Sequence, residues 1–368
     1  MGVVGVMGIA GAGIAAAQEY QQKRLIQVGE VQKWIPFEDI RKLAIKSHQE
    51  GRCGGFMDVT RFASTYKAQG KLVAHFPKNK MPRHENEVLP YLEKLSSSEL
   101  LGQTEVLSTK FKNRYYTSDY GVNSMQYLFE QFKKYGAHRS DIEVKMFKHK
   151  DFKQPSVIAA IQGQGATKDE FVVIGGHGDS VNWSMGMPHP DGLAPGADDN
   201  ASGTSTVLEV FRVLAQGDFR PKRTLLFMIY AGEELGLLGS QEIAQYFRHG
   251  DEKVIGVMQF DMTAYPGDGS FIHFIMDNTN SELTKFSTML ADKYVKQPWK
   301  MHNCGYACSD HASWDRAGYA ATFPFEAGDH DNPKIHTKND TIQNGLDFKF
   351  GLQFAQLGTA FAIEMGLK

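Results

Sequence analysis

The pattern of hydrophobic and polar positions divides the chain near residue 80. Beyond it, short continuous apolar runs alternate with segments whose apolar residues recur every three to four positions. SVIAAIQG, FVVIGG, TLLFMIY and VIGVMQF begin at Ser156, Phe171, Thr224 and Val254. Short apolar runs rich in β-branched residues read as strands buried on both faces, and SFIHFIM from Ser270 joins them. Helical spacing marks Met125, Leu128, Phe129 and Phe132, followed by Lys133 and Lys134 in a last turn and Gly136 as the expected cap. The same spacing recurs in Val207, Val210, Phe211 and Leu214, in GLLGSQEIAQYFRHG, over residues 281–296, and from Phe348 to Met365. Strands alternating with helices predict a three-layer α/β/α sandwich around a mixed, largely parallel central sheet. Residues 145–153, basic and alternating, read as a solvated hairpin.

The earlier part is patterned differently. RLIQVGEVQKWI alternates weakly, and FEDIRKLAIKSHQEG is helix-like with Gly51 as its stop signal. FPKNKMPRHE sets two prolines among basic residues, the signature of an exposed, cleavable linker. Residues 18–80 therefore read as a small removable prosegment rather than an edge decoration, and 81–368 as the main domain. MGVVGVMGIAGAGIAAAQEY invites a nucleotide-loop reading through Gly8, Gly11 and Gly13, but no strand precedes the glycines and no charged helix follows. Residues 1–17 fit the apolar core of a secretory signal peptide better, with Ala15-x-Ala17 as the cleavage box. The usual basic start is missing, so the first methionine is read as internal to a longer signal. The expectation is a secreted protein.

Composition changes this picture little. The 368 residues are 42% hydrophobic and 22% charged, ordinary for a globular chain. A formal net charge of -2 offers no electrostatic case for nucleic acid or an anionic membrane. No apolar run is long enough to span a bilayer, no internal repeat is visible, and a monomer is expected. Cys304 and Cys308, in CGYAC, are close enough to bridge if the loop turns tightly, and export favours a disulfide. A zinc knuckle would need a second ligand pair at matching spacing, which the chain lacks. Cys53 is left without a partner.

The chemistry gathers at strand ends. FVVIGG delivers His177 and Asp179; the glycine-flanked loop PDGLAPGADDNASG carries Asp198 and Asp199; TLLFMIYAGEE ends on Glu233 and Glu234. Asp261 follows VIGVMQF, and His336 lies in the loop NPKIHTKNDT. Any one of these alone reads as a capping or structural residue. Open α/β sheets bind ligands beyond the carboxyl ends of their strands, so the set points to a divalent metal site. Zinc takes N and O ligands at about 2.0–2.2 Å. Two zinc ions sharing a water would bring its pKa toward about 7, the nucleophile that amide hydrolysis needs. Neighbouring Glu233 and Glu234 point in different directions, so one coordinates and the other is free to carry the proton. Asp179 suits a place behind a ligating imidazole. Asp198 reads either that way or as a helix cap. His189, His273, His302, His311 and His330 read as loop or core residues.

GGHGDS, APGADDNASG, YAGEELGLLGS, QFDMT, CGYACSDHASW and KIHTKNDT, six motifs in order, together resemble the co-catalytic di-zinc bacterial leucyl aminopeptidases. The resemblance runs from about Glu105 to the C-terminus, and RCGGF is similar to the family's propeptide. It implies that Asp199 bridges two Zn2+, that Glu234 and His336 complete one, and that His177 and Asp261 complete the other. Glu233 would be the general base. Cys304–Cys308 would be the family's disulfide, holding Tyr306 near the developing oxyanion. The substrates implied are peptides with a free N-terminus, with a large apolar first residue preferred. Met262, Ile275, Phe323, Phe325 and Ile335 match that pocket, though each also fits ordinary core. Between Glu326 and Asn332 the loop is a residue shorter than the family's and lacks aromatic side chains.

Three rivals share the fold. A glutaminyl-cyclase-like acyltransferase would use one zinc, and the intact Glu233–Glu234 pair argues against it. A carboxypeptidase would need a cation for the free carboxylate, and the site motifs offer no basic residue to assign to that task. A non-catalytic binding module typically loses ligands or the base, and here none is lost.

Overall fold

The computed structural model describes residues 23–50, 55–70, 72–267, 269–326 and 331–367. The expected signal peptide, Cys53 and His330 lie outside the described residues. The strands are β1 (Lys23–Val28), β2 (Val31–Pro36), β3 (Met57–Asp58), β4 (Ile142–Phe147), β5 (Ser156–Ile161), β6 (Glu170–His177), β7 (Thr224–Tyr230), β8 (Lys253–Gln259), β9 (Ile272–Ile275), β10 (Trp299–His302) and β11 (Ala321–Phe325). β4 to β11 form one eight-stranded sheet in the order β10-β9-β11-β8-β6-β7-β5-β4. Its middle, β11-β8-β6-β7, is parallel. β5 and β4 continue antiparallel on one side, and β9 pairs antiparallel with β11 on the other.

The apolar runs look continuous because their alternate residues feed two different cores. Val172, Ile174, Leu225, Phe227 and Ile229 face a core completed by Met125, Leu128, Phe132, Val207, Phe211 and Phe361. Those partners come from helices Asp119–Gly136, Gly203–Gln216 and Phe348–Gly366. Val173, Leu226, Met228 and Tyr230 point the other way, onto Ile243 and Trp314 of helices Leu238–His249 and His311–Arg316. Successive strand side chains leave opposite faces, so a strand covered by helices on both sides must be apolar at every position. Full burial of one such side chain contributes about 1.5–3 kcal/mol. The expected three-layer α/β/α sandwich is the observed fold.

Two local differences have physical causes. Gly136 ends the helix from inside it rather than capping it, and a Cβ there would lie 2.6 Å from the Ile142 side chain. β11 was not anticipated because TFPF contains proline, which demotes a run as a strand. Ala321 and Thr322 pair with β8, whereas Phe323–Phe325 pair with β9. Pro324 thus sits where β11 has changed partners.

The N-terminal stretch forms its own antiparallel sheet, β2-β1-β3, with helix Ile40–Gln49. It rests on the main domain through two small cores. Ile26, Phe37, Ile40 and Phe56 meet Tyr115, Tyr116, Val181, Trp183 and Leu235. Met57, Val59 and Tyr66 meet Leu237, Ala307 and Ala312. Asp58 N–H donates to Gly236 O at 3.0 Å, Tyr66 Oη to Gln241 Oε1 at 3.0 Å, and Arg61 takes both oxygens of Glu242. Pro77, Lys78 and Asn79 are exposed. Among the described residues no helix is long and apolar enough to cross a membrane.

Candidate metal centre

β6, β7 and β8 run parallel, so their carboxyl ends share one rim. His177 is the last residue of β6, Glu233 and Glu234 follow β7, and Asp261 follows β8. Two further loops reach the rim. One carries Asp199 just before helix Gly203–Gln216, and the other carries His336. His336 holds a left-handed φ of 55°, as does Met262 at 56°. Such backbone costs about 1–3 kcal/mol for a non-glycine residue and gathers at functional sites.

Two donor groups result: His177, Asp199 and Asp261 in one, Asp199, Glu234 and His336 in the other. Within each, the donor atoms lie within 4.8 Å of one another. Asp199 belongs to both and turns one oxygen toward each histidine. Its Oδ1 is 3.1 Å from His177 Nε2, and its Oδ2 is 2.9 Å from His336 Nε2. His177 Nε2 also stands 3.1 Å from Asp261 Oδ1, and His336 Nε2 2.9 Å from Glu234 Oε2. Glu233 belongs to neither group; its Oε2 is 4.0 Å from His177 Nε2. Asp179 serves two loops at once. Its carboxylate lies 3.4 Å from His177 Nδ1 and accepts the backbone N–H groups of Glu233 and Glu234 at 3.0 and 3.2 Å.

The electrostatics call for cations. Burial pushes the Glu234 carboxyl up to about 7, and Asp199 beside it adds to the shift. Burial likewise raises Asp261 and, well above the usual range, Glu233. Burial disfavours an imidazolium at His177 and His336, but the facing carboxylates outweigh it and hold both well above the usual histidine value. Burial would also raise Asp199, yet bonds to the two histidines hold it below the ordinary carboxylate range. Protons on the imidazoles therefore meet part of a demand that divalent ions would meet better. Glu234 Oε1, buried with no hydrogen-bond partner, is a donor left over for an ion. The residues fit zinc.

Several supporting groups escaped the sequence reading. Ser309 Oγ donates to Asp261 Oδ2 at 2.6 Å, and Thr204 Oγ1 to His177 O at 2.6 Å. Asp340 accepts the backbone N–H groups of Asp198 and Asp199 at 2.9 and 3.0 Å. Ser309 and Asp340 lie inside motifs already singled out, so position was a usable signal; Thr204 gave none. Asp198 caps no helix: its Oδ2 accepts from Asn332 Nδ2 at 2.8 Å. Met262, Ile275, Phe323, Phe325 and Ile335 form one buried cluster with Tyr306 and Cys308, against which Cys304 packs. Cys304 and Cys308 are joined as a disulfide. His311 is a core residue, driven down to about 4 by burial, and His189 is an exposed loop residue.

Residues 156–357 match Peptidase family M28. The chain belongs to that family. A probable leucine aminopeptidase of Arthroderma benhamiae is 39% identical, over 84% of this chain and 85% of its own. LapB of Legionella pneumophila has a TM-score of 0.81 at 32% identity, covering 97% of this chain and 98% of LapB. The LapA aminopeptidase of the same organism gives 0.81 at 30%, covering 96% of each chain. With M28 membership, these relatives and this donor set, the protein is a zinc-dependent metallo-aminopeptidase, a hydrolase. Neither the cyclase-like reading nor the binding-module reading is favoured.

Proposed function

We propose that this M28 peptidase is a secreted di-zinc aminopeptidase that removes leucine and other large apolar residues from the N-terminus of peptides. The observation that carries the two-ion reading is Asp199, whose two oxygens face different histidines in two donor groups. Asp199 would bridge the pair, with His177 and Asp261 on one ion and Glu234 and His336 on the other. Zinc, when bound, polarises a scissile carbonyl and lowers the pKa of water.

The chain's own residues do the rest. Glu233 Oε2 would take a proton from the attacking water as its oxygen bonds the scissile carbonyl carbon, and pass that proton to the amine that leaves as the C–N bond breaks. Asp179 fixes the Glu233–Glu234 loop and faces the His177 imidazole. Ser309 holds one oxygen of Asp261, leaving the other turned to His177. Tyr306, held by the disulfide loop, would stand by the developing oxyanion. The cluster of Met262, Ile275, Phe323, Phe325 and Ile335 supplies an apolar wall for the first side chain. Residues 18–80 would be a prosegment. In support, Arg41, Ala44, Ile45 and Gln49 line a cavity of about 250 Å³ together with Trp183, Ser184, His336 and Thr337. The N-terminal helix thus shares a cavity with His336, the residue that would hold one ion. Residues 1–17 would be a signal peptide.

Leucine p-nitroanilide hydrolysis by the purified chain tests this reading, before chelation, after it and after zinc return. Activity that vanishes and returns with two zinc ions per chain is expected. A folded, zinc-loaded protein that cyclises N-terminal glutaminyl residues to pyroglutamyl with release of ammonia, but does not hydrolyse the leucine substrate, would replace the reading with the acyltransferase.

A further inference from the structure

Arg114 lies in the stretch joining helices Ser97–Thr109 and Asp119–Gly136, and it is 1% exposed. Every hydrogen bond found for its guanidinium goes to a backbone carbonyl. Nε donates to Gly178 O at 2.9 Å, Nη1 to Leu107 O at 3.2 Å and Pro195 O at 2.6 Å, and Nη2 to Gly196 O at 2.8 Å. Gly178 is the residue after His177. Pro195 and Gly196 lead into the loop that carries Asp199. The backbone of Arg114 adds to the same join. Its N–H donates to Ser180 Oγ at 3.0 Å, and that hydroxyl donates to Ala194 O at 2.8 Å. The opposite side of the clamp is shaped to fit. Gly196 has φ +55°, and a Cβ there would lie 2.8 Å from Arg114 Nη2 and 2.5 Å from Asp199 O.

A buried guanidinium that satisfies itself on carbonyls keeps its charge for the surroundings. Burial lowers its pKa to about 10, and nearby Asp340, Asp179, Asp199 and Glu234 act against that. The planar fork matters as much as the charge. One guanidinium reaches three chain segments in fixed directions, whereas a lysine ammonium offers three donors from a single point.

We propose that Arg114 is a positioning residue for the metal pair, clamping the His177 strand end to the Asp199 loop and so setting the spacing of the two donor groups. The proposal rests on the zinc site described above. Partners behind metal ligands typically change metal affinity or activity by about 10- to 100-fold when removed.

The test uses the full chain and no substrate at its core. Zinc affinity is measured by chelator competition in wild type, Arg114→Lys and Arg114→Gln, with circular dichroism and thermal unfolding to establish folding. Both variants are expected to hold zinc about 10- to 100-fold more weakly. On the leucine substrate, at zinc concentrations that refill the site, kcat falls while KM stays within about threefold. Wild-type zinc affinity in folded Arg114→Lys would overturn the proposal, whether or not Tm drops, because charge and packing would then suffice. If neither variant folds, Ser180→Ala loosens the same join from its other partner. Several-fold weaker zinc there supports the clamp, and unchanged affinity overturns it. A wild-type chain that binds zinc yet ignores leucine p-nitroanilide would sink the proposed substrate and leave this inference standing.

Discussion

Glu233→Gln separates a proton carrier from a ligand at nearly constant shape. The Glu233 backbone N–H bonds to Asp179 and survives the change, and the side chain belongs to neither donor group. Burial pushes its carboxyl well above the usual range, with Asp261 and Asp310 adding to the rise and His177 opposing it. Burial thus favours the neutral form of Glu233, and a carboxamide keeps the shape of the side chain without a charge. The stability cost should stay below about 1 kcal/mol, or a few degrees in Tm. Turnover is another matter. An amide cannot accept the proton, and positioned acid–base groups contribute about 10²- to 10⁴-fold. At about 1.4 kcal/mol per decade, that is about 3–5.5 kcal/mol of barrier. The assay pairs kcat on leucine p-nitroanilide with zinc per chain in the same sample. Full zinc with kcat down at least a hundredfold is expected. Loss of a zinc ion would make Glu233 a ligand, and kcat within tenfold of wild type would place the base elsewhere.

Two further outcomes follow from contacts away from the ions. Cys304→Ala removes the disulfide that backs the apolar cluster; the ratio of kcat/KM for leucine over alanine p-nitroanilide should fall severalfold, and an unchanged ratio would detach the disulfide from specificity. Arg61→Ala removes a bidentate pair with Glu242 and should speed digestion of the N-terminal unit by an added protease at neutral pH. Burial would raise Glu242, but His149 and Arg61 outweigh it and hold it at about 2. A carboxylate depressed below its unfolded value of about 4.3 stabilises fully above that pH and loses the contribution as pH falls toward 2. Digestion of wild type should therefore accelerate across that window, and Arg61→Ala should show less of the change. Equal pH profiles would remove the pair as an anchor.

The strands that carry ligands were legible because burial on two faces leaves an unbroken apolar run ending in glycine or acid. Helix Ser97–Thr109 was not, because its buried positions include Thr104 and Ser108 beside Leu100 and Leu107. Thr104 Oγ1 bonds Ser205 Oγ at 3.0 Å, so a polar stripe does the packing that periodicity seeks in apolar residues. β11 hid behind Pro324. The five ligand candidates stood at strand ends or in loops, and four of them directly followed an apolar run or lay among glycines, where local context gave them away. Arg114 had no such context, since its partners are backbone carbonyls, most of them far along the chain, and carry no side-chain identity.

The division of β6 between two cores has a bearing on how such chains can drift in length. Inserting one residue directly after Glu170 would send Val172, Val173 and Ile174 to the wrong layers together. It would also advance His177 by about 3.3 Å past the rim. Both faults come from a single event, and no point substitution repairs either. The stretch from Val181 to Leu193 joins no strand or helix, so a residue gained there disturbs neither layer. Family members are therefore expected to vary in length between the histidine and the shared aspartate, while the strand before them keeps its count.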